Sequence, residues 1–248
     1  MLFIKILLDI SYLGGAYHGY QVQDNAVTVQ GTLQKALEDF YGVPLMLTGC
    51  SRTDAGVHAR HFCLTAEGEL YENMPPERLP FAMASRLPED ISINSAKAVD
   101  ADFHARYDVK YKEYEYLIWN APVMSPFMQG RAWHHPLPLN VELMNEAAGI
   151  LVGRHDFKAF MAEGSPVNST VREIKYFDCR REGDTVIIRV AADGFLYNMV
   201  RILSGTLVDI SDRKIEVKNL PDIVRKKERT GAGQTLPACG LYLNKVVY

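Results

Sequence analysis

Apolar and polar positions along this chain follow two periods, and the alternation between them marks out its elements. Residues 3–12, FIKILLDISY, carry aliphatic and β-branched side chains punctuated by Lys5 and Asp9. That pattern predicts a strand with one largely buried face, ended by Gly14 and Gly15. From Thr28 the period lengthens: Val29, Leu33, Ala36, Leu37 and Phe40 fall on one helical stripe, with Thr28 as N-cap and Gly42 as stop. Short strands are expected over 45–48 and 61–66, with the small-residue stretch GCSRTDAGVHA, residues 49–59, between them. A short helix over 77–86, started or broken by Pro80, and a strand over 91–99 follow. Within 103–120, Tyr114, Tyr116 and Ile118 alternate with Glu113, Glu115, Leu117 and Trp119, the signature of a strand.

Beyond that strand, residues 140–152 predict an amphipathic helix with Leu143, Met144, Ala147, Ala148, Leu151 and Val152 inward and Gly153 at its end. Residues 172–179 and 185–192 predict a hairpin turning through Arg181, Glu182, Gly183 and Asp184. Gly194 introduces a helix whose buried stripe is Leu196, Met199, Val200 and Leu203. Arg201 lies at the margin of that stripe, and an arginine in such a place must find a partner. A short capped helix over 219–227 and a closing strand in GLYLNKVVY complete the pattern. Strands and helices so interleaved predict an α+β fold in two halves, 1–101 and 102–248. No flexible linker separates them, so the halves are expected to share a continuous core or sheet.

Composition narrows the class more than the function. A chain of 248 residues with 23% charged and 48% hydrophobic side chains is ordinary for a soluble globular protein, and a cytoplasmic location is expected. No apolar run approaches a membrane span, and Asp9 interrupts the apolar start, so no membrane partner is expected. Cys50, Cys63, Cys179 and Cys239 are scattered without a CxxC pair, which predicts reduced thiols. The net charge of −3 argues against indiscriminate nucleic-acid binding. Basic residues do gather between Arg52 and Lys112, namely Arg52, Arg60, Arg78, Arg86, Arg106, Lys110 and Lys112, with His58, His61 and His104 among them. Acidic residues are interleaved there, so a solvated mixed surface is the default reading. The loop AYHGYQVQDNA likewise reads first as surface, with Tyr17, Tyr20 and Gln21 as an alternative base-stacking set.

Several chemistries are excluded by what is missing. A zinc deaminase needs HxE and PCxxC, and neither is present. GxSxG and P-loop strings are absent. GAGQTLPACG is Gly-rich but is not followed by a helix, as a phosphate loop would be. His58 and His61 lack a third metal ligand at a telling spacing and read as surface histidines. Paired carboxylates for glycoside hydrolysis are not offered. What remains is one carboxylate, Asp54, two residues from the Arg52 guanidinium. A neighbouring guanidinium keeps a carboxylate charged, which suits a nucleophile or an electrostatic stabiliser better than a general acid. An ion pair that pins a turn would leave the same local string.

The longer strings decide between these. GCSRTDAGVHA resembles the active-site signature of the tRNA pseudouridine synthase A (TruA) family, and YHGYQVQ, TVQGTLQKAL, FHARYDVKYKEYEY, HDFKAF, GFLYNMVRILSG and GLYLNKVVY resemble further family segments in family order. The resemblance covers nearly the whole chain. It implies a pseudouridine synthase fold: two similar α/β halves, a mainly antiparallel sheet flanked by helices, and a central RNA-binding cleft. It implies isomerisation of uridine to pseudouridine in the anticodon stem-loop of tRNA, without metal or redox cofactor, by a homodimer whose tRNA spans both subunits. By the same resemblance Asp54 is the nucleophile, Tyr114 the active-site tyrosine and Arg201 the arginine paired with Asp54. Arg52 supports base flipping or holds the RNA backbone, and Leu241 lies against the base. His58, Arg60, Arg106 and Lys112 join Arg52 as expected RNA contacts. Whether Asp54 attacks the sugar or the base stays open, as do a silent RNA-binding module and an isomerase for another RNA. Cys50 and Ser51 stand where the family commonly has Ala-Gly.

Overall fold

The computed structural model describes residues 2–70, 74–164 and 167–248. Along the chain the strands are β1 (Leu2–Tyr12), β2 (Met46–Gly49), β3 (His58–Leu70), β4 (Ile91–Ala98), β5 (Tyr111–Trp119), β6 (Trp133–His134), β7 (Gly153–Asp156), β8 (Val171–Glu182), β9 (Thr185–Ala192) and β10 (Leu241–Val247). The α-helices are α1 (Val29–Tyr41), α2 (Leu79–Met83), α3 (Val141–Ile150), α4 (Met199–Ser211) and α5 (Leu220–Lys226). The fold is α+β, as expected. It resolves into two compact units, Met1–Lys110 with Tyr242–Tyr248, and Tyr111–Leu241. The division therefore falls at Lys110 where the sequence places it at 101, and the last strand belongs with the first unit. Local bonds account for this: Lys110 N–H donates to Val247 O at 2.8 Å, and the Lys110 ammonium donates to Tyr248 O at 3.0 Å.

In the first unit β1 lies between β3 and β4, antiparallel to both. β2 pairs antiparallel with β3, and β10 pairs parallel with it through Tyr242↔His58 and Leu243↔Ala59. α1 begins and ends where the sequence predicts. Thr28 Oγ1 accepts the Gly31 N–H at 3.2 Å, and Gly42 stops the helix in the left-handed region at φ 70°. Its buried stripe is Val29, Leu33, Leu37 and Tyr41, so Tyr41 takes the place expected for Phe40. Positions four apart advance slightly past a full turn, and the stripe drifts accordingly.

In the second unit β5, β9, β8 and β7 pair antiparallel in that order, and β6 adds a short parallel bridge to β5. The hairpin of β8 and β9 turns at Gly183 and Asp184 alone; Arg181 and Glu182, expected in the turn, continue β8 and pair with Val186 and Thr185. α3 runs from its Asn140 cap, whose side chain accepts the Leu143 N–H at 2.9 Å. The Asn145 amide then mimics a strand partner for Cys179, donating to its carbonyl and accepting its N–H, both at 2.7 Å. β5 is buried on both faces from Glu113 to Ile118, where alternation alone suggested one buried face. α4 starts at Met199, later than expected. Asn198 takes the left-handed conformation at φ 58°, which breaks the helical path after Leu196. The helix is buried almost all round, including Ser204, Thr206 and Asp209.

Candidate active site

Asp54 sits in the connection from β2 to β3, in the first unit. Cys50 N–H donates to Cys63 O at 2.8 Å and carries the strand pairing one residue past β2. The chain then departs, and the loop following β1 receives it. Tyr20 N–H donates to Thr53 O at 3.1 Å, Gly56 N–H to Tyr17 O at 3.3 Å, and Val57 N–H to Asp54 O at 3.1 Å. The Tyr12 and Thr53 hydroxyls meet at 2.8 Å in a buried setting. Two glycines make this fit possible. Gly19, at φ +91°, lies so close that a Cβ would stand 2.6 Å from Thr53 O, and a Cβ on Gly14 would stand 2.0 Å from Val57 O. Below the loop Tyr20 stacks on Phe62 with centroids 4.2 Å apart. The backbone on both sides of Asp54 is thus held, while Asp54 itself is half-buried and Arg52 is exposed.

The residues just after the loop share one ring. His58 and Arg60 lie on one face of β3. His58 stacks on Tyr242 at 4.6 Å and 26°, and the Arg60 guanidinium stands 4.6 Å from the same ring centroid. Arg60 also donates to Asn244 Oδ1 at 3.0 Å. His58 is 1% exposed, not a surface residue. Its Nδ1 accepts the Gly14 N–H at 2.9 Å, which assigns the proton of the neutral ring to Nε2.

A possible metal set elsewhere in this unit was tested on the chemistry of its donors. Asp9, His61 and Cys63 bring one ligand-type atom each within 4.8 Å of one another. His61 Nδ1 accepts the Val246 N–H at 3.0 Å, so the neutral ring carries its proton on Nε2. That N–H faces Asp9 Oδ1 at 3.6 Å and Cys63 Sγ at 3.5 Å. Burial and the neighbouring Cys50 and Asp9 push the Cys63 thiol up to about 12, so it stays protonated. With Nδ1 taken by Val246 of β10, the His61 nitrogen that faces Asp9 and Cys63 carries a proton in the neutral ring and is a donor to them.

In the second unit Tyr114, on β5, is 7% exposed, and its ring meets Phe195 edge-on at 5.0 Å. Tyr116, two residues on and hence on the same face, donates to Pro237 O at 2.7 Å. Burial pushes the Tyr116 hydroxyl well above its usual range, and the nearby Cys239 adds to this while Arg201 works against it. Arg201, in the first turn of α4, donates from Nε to Leu236 O at 2.6 Å and from Nη1 to Asn198 Oδ1 at 2.7 Å. The half-buried arginine at the helix margin therefore finds partners, as the sequence requires. The strap before β10 reaches this position only because glycines meet at its crossing with α4. A Cβ on Gly205 would stand 1.9 Å from Gln234 O, and one on Gly233 2.6 Å from Thr206 N. This is the role of GAGQTLPACG. At its end Leu241 is buried, and Gly240 leaves room for the Tyr116 ring.

Of the residues singled out from the sequence, Arg52, Asp54, His58, Arg60 and Arg106 lie in the first unit, and Lys112, Tyr114, Arg201 and Leu241 in or at the edge of the second. Tyr17 and Tyr20 are buried supports of the Asp54 loop, not an exposed stacking surface. The supporting residues Gly14, Gly19, Tyr12, Phe195 and Tyr242 were not singled out. The isolated glycines after β1 were the one available signal.

The first unit of this α+β chain holds a carboxylate loop in place, and the second holds Tyr116 and Arg201 against the strap before β10. A family model described as tRNA pseudouridine synthase matches residues 10–108 and 147–248. A protein of Thermoanaerobacter sp. (strain X514) called tRNA pseudouridine synthase A is 45% identical over 244 residues, 98% of this chain and 99% of its own length. Proteins of the same name from Ruminiclostridium cellulolyticum and Clostridium acetobutylicum are 45% identical over 249 residues and 40% over 244, each covering 98% of this chain and 99% of the relative. The chain belongs to the tRNA pseudouridine synthase family, a family of isomerases. No helix among the described residues is long and apolar enough to cross a membrane.

Proposed function

We propose that this chain isomerises uridine to pseudouridine in the anticodon stem-loop of tRNA, with Asp54 as the nucleophile and Tyr114, Arg201 and Leu241 acting on the same nucleotide. One observation carries most of the weight. The backbone around Asp54 is fixed by Tyr17, Tyr20 and Val57 and by the close approach of Gly14 and Gly19, while Asp54 itself is only half-buried. A carboxylate held this way is oriented before substrate arrives, which is how a site lowers a barrier by positioning.

The reaction breaks the N1–C1′ bond, joins C1′ to C5, removes the C5 proton and returns one to N1. Atoms and charge balance within the nucleotide, and no oxidant is called for. A stem-loop uridine must first leave its stack, at a cost of a few kcal/mol. Stacking on the Tyr114 ring returns about 1–3 kcal/mol, and the Tyr114 hydroxyl takes part in removing the C5 proton. The Arg201 guanidinium keeps Asp54 ionised as a nucleophile. Leu241 covers the apolar face of the base. Arg52, Arg60, Arg106 and Lys112 hold phosphates, which makes affinity salt-dependent in spite of the net charge of −3. His58, buried behind Tyr242, acts through the ring that Arg60 also touches. The working form is a homodimer in the cytoplasm, with one tRNA spanning both subunits. Mapping pseudouridine in tRNA from cells with and without this protein tests the assignment. Loss confined to the anticodon stem-loop is expected. An unchanged map there, or loss in another RNA, would overturn the site assignment.

A further inference from the structure

One exposed aromatic ring of the first unit is backed by a second ring and stands on a hydrogen-bonded turn. Tyr107 is 75% exposed, yet its ring lies against His104 with centroids 4.2 Å apart and planes at 37°. The turn beneath it is closed at every point. His104 Nδ1 accepts the N–H groups of both Arg106 and Tyr107, at 3.1 and 3.3 Å. Asp108 Oδ2 accepts the His104 N–H at 2.8 Å, and Asp108 N–H donates back to His104 O at 3.1 Å. The base of the turn is anchored from two directions. The Lys5 ammonium donates to Ala101 O and Phe103 O at 2.8 and 2.9 Å, and the Tyr248 hydroxyl donates to Ala105 O at 2.7 Å. Arg106 stands exposed, its guanidinium over the Tyr107 ring at 6.0 Å from the centroid.

An exposed tyrosine is common and usually needs no explanation. An exposed tyrosine with a ring against it and a guanidinium over it, on a turn whose backbone is hydrogen-bonded, has less conformational freedom to lose when a ligand binds. That is a construction that favours a flat, anionic ligand: a base can stack on the exposed part of the ring at a reduced ordering cost, and the arginine over the ring, at 6.0 Å, can swing to meet the attached phosphate. We propose that Tyr107, backed by His104 and flanked by Arg106, is a stacking site for an unpaired base of the RNA substrate, separate from the uridine that is isomerised. The site gives the protein a second point of grip, which sets the register of the RNA on the first unit. The inference rests on RNA being the substrate of this chain.

The test is the affinity for a full-length unmodified tRNA transcript at several salt concentrations. Tyr107→Ala is expected to weaken binding about tenfold without changing the slope of affinity against salt, because a ring releases no counterions. Tyr107→Phe keeps the ring and is expected to restore affinity to within about twofold of the parent. Arg106→Gln is expected to reduce the salt slope by about one phosphate contact. With a fully paired RNA duplex of the same length, Tyr107→Ala is expected to match the parent, since no base is free to stack. Parent-like binding of tRNA by Tyr107→Ala would overturn the proposal. So would a reduced salt slope in that variant, or an equal loss on the duplex, since either would mean that the ring only braces the Arg106 turn. If the parent makes no pseudouridine while the Tyr107 difference persists, the proposed function falls and the stacking site stands. If the parent isomerises uridine and Tyr107→Ala binds as the parent does, the stacking site alone falls.

Discussion

Tyr114 has two separable parts, and the structure lets them be tested apart. The ring is buried on β5 and meets Phe195 edge-on, so packing contributes to its position. Tyr114→Phe is therefore expected to fold and to bind tRNA about as the parent does, and to slow the single-turnover rate at saturating RNA by about a hundredfold, in the range of general acid–base effects. An unchanged rate would remove the hydroxyl from the chemistry. At this scale the sequence singles out candidates only where they lie in a contiguous string. Asp54, Tyr114 and Arg201 stand out from GCSRTDAGVHA, KYKEYEY and NMVRILSG. It was silent where a residue matters through a neighbour far along the chain. Tyr12 meets Thr53, and Tyr242 lies between the claims of His58 and Arg60, and neither relation leaves a local mark. Cys50, odd beside the family string, is fully buried next to Tyr20 and paired through its N–H with Cys63, so a small apolar side chain suffices there.

Among the elements, the loop after β1 and the loop holding Asp54 act as one piece. Gly19 is the tightest test of that unit, since it combines a positive φ with a Cβ position 2.6 Å from Thr53 O, whereas a Cβ on Gly15 would meet nothing within 4 Å. Gly19→Ala is expected to cost about 1–3 kcal/mol of stability and to lower the single-turnover rate at least tenfold through a displaced Asp54. Gly15→Ala, four residues earlier in the same loop, is expected to change neither. Equal behaviour of the two variants in thermal melting and turnover would separate the loop from the site. The regular elements were largely legible because their signals are local. Thr28, Gly42 and Asn140 mark helix ends by chemistry that operates over three or four residues. β6 was not, since two residues are too short for a period to show, and β7 was not, since Gly153 read only as the end of the preceding helix. The start of α4 was misplaced because Phe195 to Asn198 continue its apolar pattern, and only the left-handed turn at Asn198 breaks it.

For the molecule as a whole, the α+β class followed from the order of the elements, but the boundary did not. A strand such as β10 reads the same wherever it pairs. Its placement with β3 follows from Tyr242↔His58, Leu243↔Ala59 and the bond from Val246 N–H to His61, contacts between segments more than 180 residues apart. The same limit applies to charge: a total of −3 conceals where cations gather, and affinity for RNA depends on the local arrangement. The account as a whole stands on Asp54, the carboxylate around which the first unit builds its loop. The measurement that addresses it most directly is pseudouridine formed in the anticodon stem-loop of an unmodified tRNA transcript by the parent and by Asp54→Ala, at equal fractions of RNA bound. The parent is expected to convert its target, and Asp54→Ala to form none above the uncatalysed level while keeping its melting temperature and most of its affinity for tRNA. Appreciable conversion by a folded, RNA-bound Asp54→Ala would contradict the assignment of Asp54 as the nucleophile.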